Sequence, residues 1–215
     1  MMWRKFFIFN CLCLVASVMG CATHKVNTEL PPDKNKTIGQ WEAKLIVEDL
    51  RQDKTHSLNL DVIAENPTRM RMEITGTLGV NVASVVVLND LVKYSLKKKK
   101  KYLEGPTSDK SFMTFLKGSL DPRWFFAIFF DQPIPDKSWI CKTNAQTQLI
   151  ESCLRLADKI LIRWYERLGE LKKVEITGAD FKVNIEVTDF KTNVQNLDKA
   201  FQLKIPESYK RYKIP

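Results

Sequence analysis

The covalent chemistry open to this chain rests on its cysteines. Five occur, at positions 11, 13, 21, 141 and 153, against only two histidines, His24 and His56. Two histidines are too little material for a His-built metal site or a Ser-His-Asp arrangement, so composition argues against an enzyme, and no catalytic group, metal or cofactor is expected. Cys141 and Cys153 flank the segment WICKTNAQTQLIESCL, whose polar centre, Lys142 to Gln148, reads as a hairpin connection between two apolar-rich strands. A cross-strand disulfide fits there and would contribute roughly 3 kcal/mol by constraining the loop it closes. Two separate buried thiols are the alternative.

The first twenty residues read as an export signal. Arg4 and Lys5 supply the charged start, and Phe6 to Met19 forms an apolar stretch shorter than the ~20 residues needed to span a bilayer. It runs into Val18-Met19-Gly20-Cys21, which resembles a bacterial lipobox, with small Gly20 before a cysteine and an aliphatic residue at the third position upstream. The motif implies cleavage after Gly20 and acylation of Cys21 on its sulfur and its new amine. An ordinary leader with an incidental cysteine is the alternative. In enteric bacteria an Asp after the lipid cysteine retains such proteins in the inner membrane, and Ala22 carries no such signal. Cys11 and Cys13 leave with the leader, so the mature body keeps one even pair, as suits an oxidising compartment. The expected organisation is a leader at 1–20, a lipidated N-terminus and flexible tether at 21–36 containing Pro31-Pro32, and one domain at 37–215.

That body is long enough to bury a real core. Hydrophobic residues at 44% and charged residues at 27% exclude a disordered polyelectrolyte and a multi-span membrane protein alike. A net charge of +9, reduced to +7 without Arg4 and Lys5, raises nucleic acid or an anionic membrane surface as a partner. Export, and the want of an aromatic stacking platform among the basic residues, argue against nucleic acid. The densest charge is the run Lys97, Lys98, Lys99, Lys100 and Lys101, either a basic surface hairpin for anionic headgroups or a solvated turn.

The elements that position these groups are mostly strands. Period-2 alternation runs through Trp41, Ala43, Leu45 and Val47, through Leu58, Leu60, Val62 and Ala64, and through Met70, Met72 and Ile74. Val85-Val86-Val87 is β-branched and apolar on both faces, which asks for cover on both sides of the sheet. Leu91 to Leu96 and Lys101 to Leu103 read as arms of a hairpin around the lysine run. Helical spacing follows: a short helix capped near Thr107 to Asp109 and ending at Gly118, then Trp124 to Phe130, introduced by Asp121-Pro122. Trp124 to Phe130 is almost wholly apolar and must lie against the sheet or line a greasy interior. Strands resume from Trp139 through Ile150 to Leu156, Ile160 to Trp164, Val174-Glu175-Ile176, Phe181 to Val187 and Phe201 to Ile205, for about eleven in all.

In this order the elements resemble the LolA/LolB superfamily, closest to its lipid-anchored branch, LolB. Three local matches carry the resemblance: Ile74-Thr75-Gly76-Thr77-Leu78-Gly79, the helix, Pro-containing turn and Trp-rich helix over Gly118 to Pro135, and Phe201-Gln202-Leu203-Lys204-Ile205-Pro206. The resemblance implies a mainly β fold: a strongly bent antiparallel sheet forming an unclosed β-barrel with short lid helices. It implies an outer-membrane lipoprotein, facing the periplasm and monomeric. Such a protein accepts lipoproteins from a periplasmic LolA-like carrier, holds their acyl chains in a hydrophobic cavity and inserts them in the membrane. The cysteine pair and the five-lysine hairpin depart from the family pattern.

Candidate residues for the acyl-chain cavity are Leu45, Val47, Leu60, Val62, Met72, Ile74 and Val86 from the sheet, with Trp124, Phe125, Ile128 and Phe129 from the lid. Plain core packing is the alternative for each. Leu78 and Gly79 form the candidate membrane-insertion loop, since a large aliphatic side chain is unexpected at a turn tip. The resemblance implies that Leu78 projects from the mouth and places cargo in the bilayer; alternatively it folds back over the sheet edge. Two other functions fit the same residues: a module of this fold carrying another lipid or glycolipid, and an envelope interaction protein whose interior is filled by its own side chains.

Overall fold

The computed structural model describes residues 36–112 and 119–214. The leader, Cys21, the tether to residue 35 and residues 113–118 of the first expected helix lie outside the described residues. Within them, one twelve-stranded sheet dominates. Its first meander comprises β1 (Ile38–Asp49), β2 (Lys54–Glu65), β3 (Arg69–Gly76), β4 (Asn81–Leu88), β5 (Leu91–Leu96) and β6 (Lys101–Pro106). Helix α1 (Trp124–Phe130) leads to a second meander of β7 (Trp139–Thr143), β8 (Ile150–Arg155), β9 (Ile160–Leu168), β10 (Leu171–Thr177) and β11 (Phe181–Lys191). The chain closes with α2 (Leu197–Ala200) and β12 (Lys210–Lys213).

Strand order is β12-β6-β5-β4-β3-β2-β1-β11-β10-β9-β8-β7, so β11 returns to pair with β1 and welds the two meanders. All pairings are antiparallel except β12 with β6. The end strands β7 and β12 are not bonded to each other, which leaves the barrel unclosed. The alternation read from the sequence is the alternation of burial: Trp41, Ala43 and Leu45 are buried while Glu42 and Lys44 between them are exposed. Val85, Val86 and Val87 are all fully buried, covered on both faces as their composition demands.

One strand is placed differently from expectation. Phe201 to Ile205 alternates in burial but joins no ladder. It runs as an extended strap over the outer face, and Arg71 Nη1 donates to the carbonyls of Ala200 (2.8 Å) and Gln202 (3.0 Å). Pro206 lacks the N–H a ladder would need, and pairing resumes only at Lys210, beside Lys101 of β6. A side chain therefore satisfies the backbone groups that a neighbouring strand would have taken.

Register gives the barrel two distinct ends. Turns 50–53, 77–80, 97–100, 156–159 and 178–180 share one end, hereafter the mouth. The start of β1, the 66–68 turn and the 169–170 turn lie at the other, the base.

Candidate functional site

The inner wall is built by the β1–β4 alternation and roofed in part by α1, all seven residues of which are buried. The helix starts beside Asp121, whose buried carboxylate accepts the Arg123 N–H (2.8 Å) and pairs with its guanidinium. It ends on Asp131 in the left-handed region, φ 55°. Its C-terminal half is embedded in rings: Trp41 meets Phe129 at 5.3 Å and Phe130 at 5.0 Å between centroids, and Trp164 Nε1 donates to the Ile128 carbonyl (3.3 Å). At its start Trp124 packs edge-on against Trp139 (4.9 Å) beneath the Arg155 guanidinium.

Toward the mouth the packing leaves a cavity of about 410 Å³. Leu45, Val47, Leu60, Met72 and Ile74 wall it, with Phe112 and Phe125 above; their rings pack edge-to-face at 5.7 Å. Leu58, Val82, Ala83, Val85, Leu96 and Val183 complete the apolar lining. The two polar lining groups, His56 and Lys98, are exposed residues at the mouth. A volume of this size and a lining this apolar match an organic-ligand pocket.

Of the eleven residues expected to line a cavity, six do: Leu45, Val47, Leu60, Met72, Ile74 and Phe125. The other five are corrected. Val62 is fully buried nearer the base, and Trp124, Ile128 and Phe129 are held in the aromatic packing rather than over the cavity. Val86 lies on the opposite face, cross-strand from Arg71, because the period of two that turns Val85 and Val87 inward turns Val86 outward. Sequence reasoning missed His56, Leu58, Val82, Ala83, Val85, Leu96, Lys98, Phe112 and Val183. Leu58 and Val183 stand two residues before Leu60 and Ile185 on the same faces, and that spacing was the available signal.

The mouth carries exposed apolar side chains. Leu78 is 90% exposed and Val80 66%, with Val82 and Leu50 beside the same opening. Gly79 adopts φ 73° and closes the turn, its N–H donating to Gly76 O (2.9 Å), while Gly76 N–H donates to Val80 O (2.8 Å). This geometry leaves Leu78 pointing away from the sheet, not folded over its edge. The lysine run forms the adjoining turn, with Lys97 to Lys100 exposed.

The base is built differently. Lys172 Nζ, fully buried, donates to Asp131 Oδ2 (2.5 Å) and to the Phe129 carbonyl (2.8 Å), and Arg167 lies 3.4 Å from the same carboxylate. Burial pushes the Lys172 ammonium down to about 8 against the upward pull of Asp131. Lys36 pairs with Glu170 and lies over the Phe190 ring at 4.8 Å. Along the second meander's end, Cys141 and Cys153 face each other across β7–β8 in a disulfide, Cα atoms 4.0 Å apart. Among the described residues, no group of three or more His, Cys, Asp or Glu side chains could hold a metal ion, and no helix is long and apolar enough to cross a membrane.

The fold has a counterpart among solved structures. A LolA superfamily protein from Nitrosomonas europaea superposes with a TM-score of 0.50 over 79% of this chain and 91% of its own, at 9% identity. The two share one fold. A conserved protein from Thermus thermophilus (TM-score 0.41, 9% identity, 84% and 93% coverage) is also similar. So is a Vibrio parahaemolyticus domain described as an outer membrane lipoprotein-sorting protein (TM-score 0.45, 7% identity, 77% and 92% coverage). No protein-family model and no curated protein matches the sequence.

Proposed function

We propose that this protein is a lipid-anchored acceptor of acylated proteins. It receives their acyl chains from a periplasmic LolA-like carrier into the cavity and inserts them in the outer membrane. The observation that carries the reading is the apolar cavity of about 410 Å³ opening among exposed aliphatic side chains. Exposing an acyl chain to water costs about 0.8 kcal/mol per CH2, so a cargo crossing an aqueous space needs a dry receptacle, and release needs a bilayer at its mouth. Binding and transfer of this kind require no catalytic group. Cys21, acylated, would hold the body at the membrane; Leu78 would enter the acyl layer; and the body would act as a monomer. A second reading, in which the same cavity carries a phospholipid or glycolipid with fewer acyl chains than a triacylated protein, is favoured by the cavity's modest size.

Native mass spectrometry and lipid extraction of the protein purified from membranes test both. A co-purifying acylated peptide supports lipoprotein transfer. A phospholipid or glycolipid supports the second reading, and an empty cavity under mild extraction contradicts both.

A further inference from the structure

Five lysines line one side of the mouth and two more, Lys199 and Lys204, stand on the adjoining outer wall; none of the seven forms an ion pair among the described residues. Lys97 to Lys100 make the β5–β6 turn, Lys101 opens β6, and Lys199 and Lys204 stand with Lys97 around an outer-wall groove of about 740 Å³ between the sheet and the strap. The groove's one carboxylate is already engaged. Glu73 accepts Arg71 Nε (2.7 Å), Asn81 Nδ2 (2.5 Å) and Ser84 Oγ (2.5 Å), so the ammonium groups around it remain available to an outside anion. The β9–β11 side differs: there Lys173 pairs with Glu166, Lys182 with Glu175 and Lys191 with Asp189.

The lysine turn is joined to the apolar tip. Lys97 N–H donates to the Val82 carbonyl (3.3 Å), so the turn bearing Leu78 and Val80 and the turn bearing the lysines form one continuous rim. A single aliphatic tip holds a protein to a bilayer weakly, and stable attachment needs a second element such as a basic patch. Here the second element lies beside the first.

We propose that this lysine-bearing side of the mouth binds the headgroup layer of an anionic bilayer, with Lys97 to Lys101 and the groove lysines Lys199 and Lys204 meeting phosphates while Leu78 and Val80 enter the acyl layer. The inference rests on the proposed delivery role and adds to it a lipid charge preference and an orientation. The lysines hold the β3–β6 wall toward the membrane, and the paired β9–β11 wall turns away.

The test uses the chain from residue 21 bearing Cys21→Ser, sedimented with phosphatidylcholine vesicles and with vesicles containing about one third phosphatidylglycerol. Binding to the anionic vesicles should be about tenfold tighter or more, and should fall on going from ~0.1 M to ~0.5 M salt. Lys97→Gln, Lys98→Gln, Lys99→Gln and Lys100→Gln together should remove most of that preference. Lys199→Gln with Lys204→Gln should remove a smaller part from outside the turn. Uptake of a fluorescent fatty-acyl probe is read in parallel and should be retained in the Lys199→Gln, Lys204→Gln variant, whose two residues lie outside the cavity lining. Equal binding to neutral and anionic vesicles, or an unchanged preference in the fourfold variant, overturns the docking surface. So does selective binding to acidic protein partners in place of vesicles. Failure of probe uptake by the unsubstituted chain strikes the cavity reading instead, so the two failures are distinguishable.

Discussion

The buried centre of the base and the β3–β6 side of the mouth treat charge and apolar surface in opposite ways. At the base, charges are buried and paired, as at Lys172, Asp131 and Arg167, and the large rings of Trp41, Phe129 and Phe130 are packed away from water. At the mouth, Leu78, Val80 and Val82 stand in solvent and the neighbouring lysines have no ion partners among the described residues. The buried network fixes α1 against the sheet, while the β3–β6 side of the mouth keeps its interactions open for something outside the chain. Leaving aliphatic tips and unpaired cations exposed together contributes little to folding, which points to a use in binding.

The comparison is broken most severely at the base. Asp131→Ala leaves two buried cations without their carboxylate and should cost about 3–5 kcal/mol in urea unfolding, with α1 loosened from the sheet. A cost below about 1 kcal/mol would show that the base network does not hold the lid. The β7–β8 edge comes next. Replacing Cys141 and Cys153 together by Ser should cost roughly 3 kcal/mol and leave acyl-probe binding intact, since the disulfide lies away from the cavity. Two alkylatable thiols on protein taken from the periplasm would show that the bridge does not form there.

At the mouth the expected stability effects shrink while the functional ones grow. Leu78→Glu should change stability by less than about 0.5 kcal/mol, leave uptake intact and abolish insertion of a model lipoprotein into vesicles. Unimpaired insertion would remove Leu78 from the mechanism. The smallest structural change is a shortened tether. β1 starts at the base and its 12 residues span about 40 Å, while the 16 residues between Cys21 and Ile38 reach at most about 55 Å extended. Deleting about half of them should leave stability and uptake unchanged and stop delivery to the membrane in which Cys21 is anchored, because the mouth then falls short. Delivery at full rate would mean that the mouth serves a different surface.

Most of the fold was legible because alternation reports burial directly. Trp41 to Val47 or Met70 to Ile74 can satisfy one apolar face only as strands. The cysteine pair was legible because the polar turn between them set the register that places them opposite each other. The strap at Phe201 to Ile205 misled, since its alternation is real while its backbone partner is the Arg71 side chain, which no local pattern announces. The cavity was half legible. Periodicity assigns residues to a face but not to an end, so Val62 and Leu58 look alike until the shared end of the 50–53, 77–80 and 97–100 turns is known. Val86 was misassigned because a run of three valines conceals which one faces inward. On α1 every position is apolar, so only the tertiary contacts separate Phe125, over the cavity, from Ile128 and Phe129, in the core.

The central claim, that the hollow beneath Phe125 holds an acyl chain, is tested most directly by titrating the chain with a fluorescent long-chain fatty acid beside two blocked variants. Ala83→Trp fills the hollow from the wall and Leu58→Trp obstructs it near the mouth. The unsubstituted protein should show one saturable site, weakened at least about tenfold in each variant while its β-sheet circular dichroism is retained. Equal binding by all three proteins, or no saturable binding by the unsubstituted chain, would contradict it.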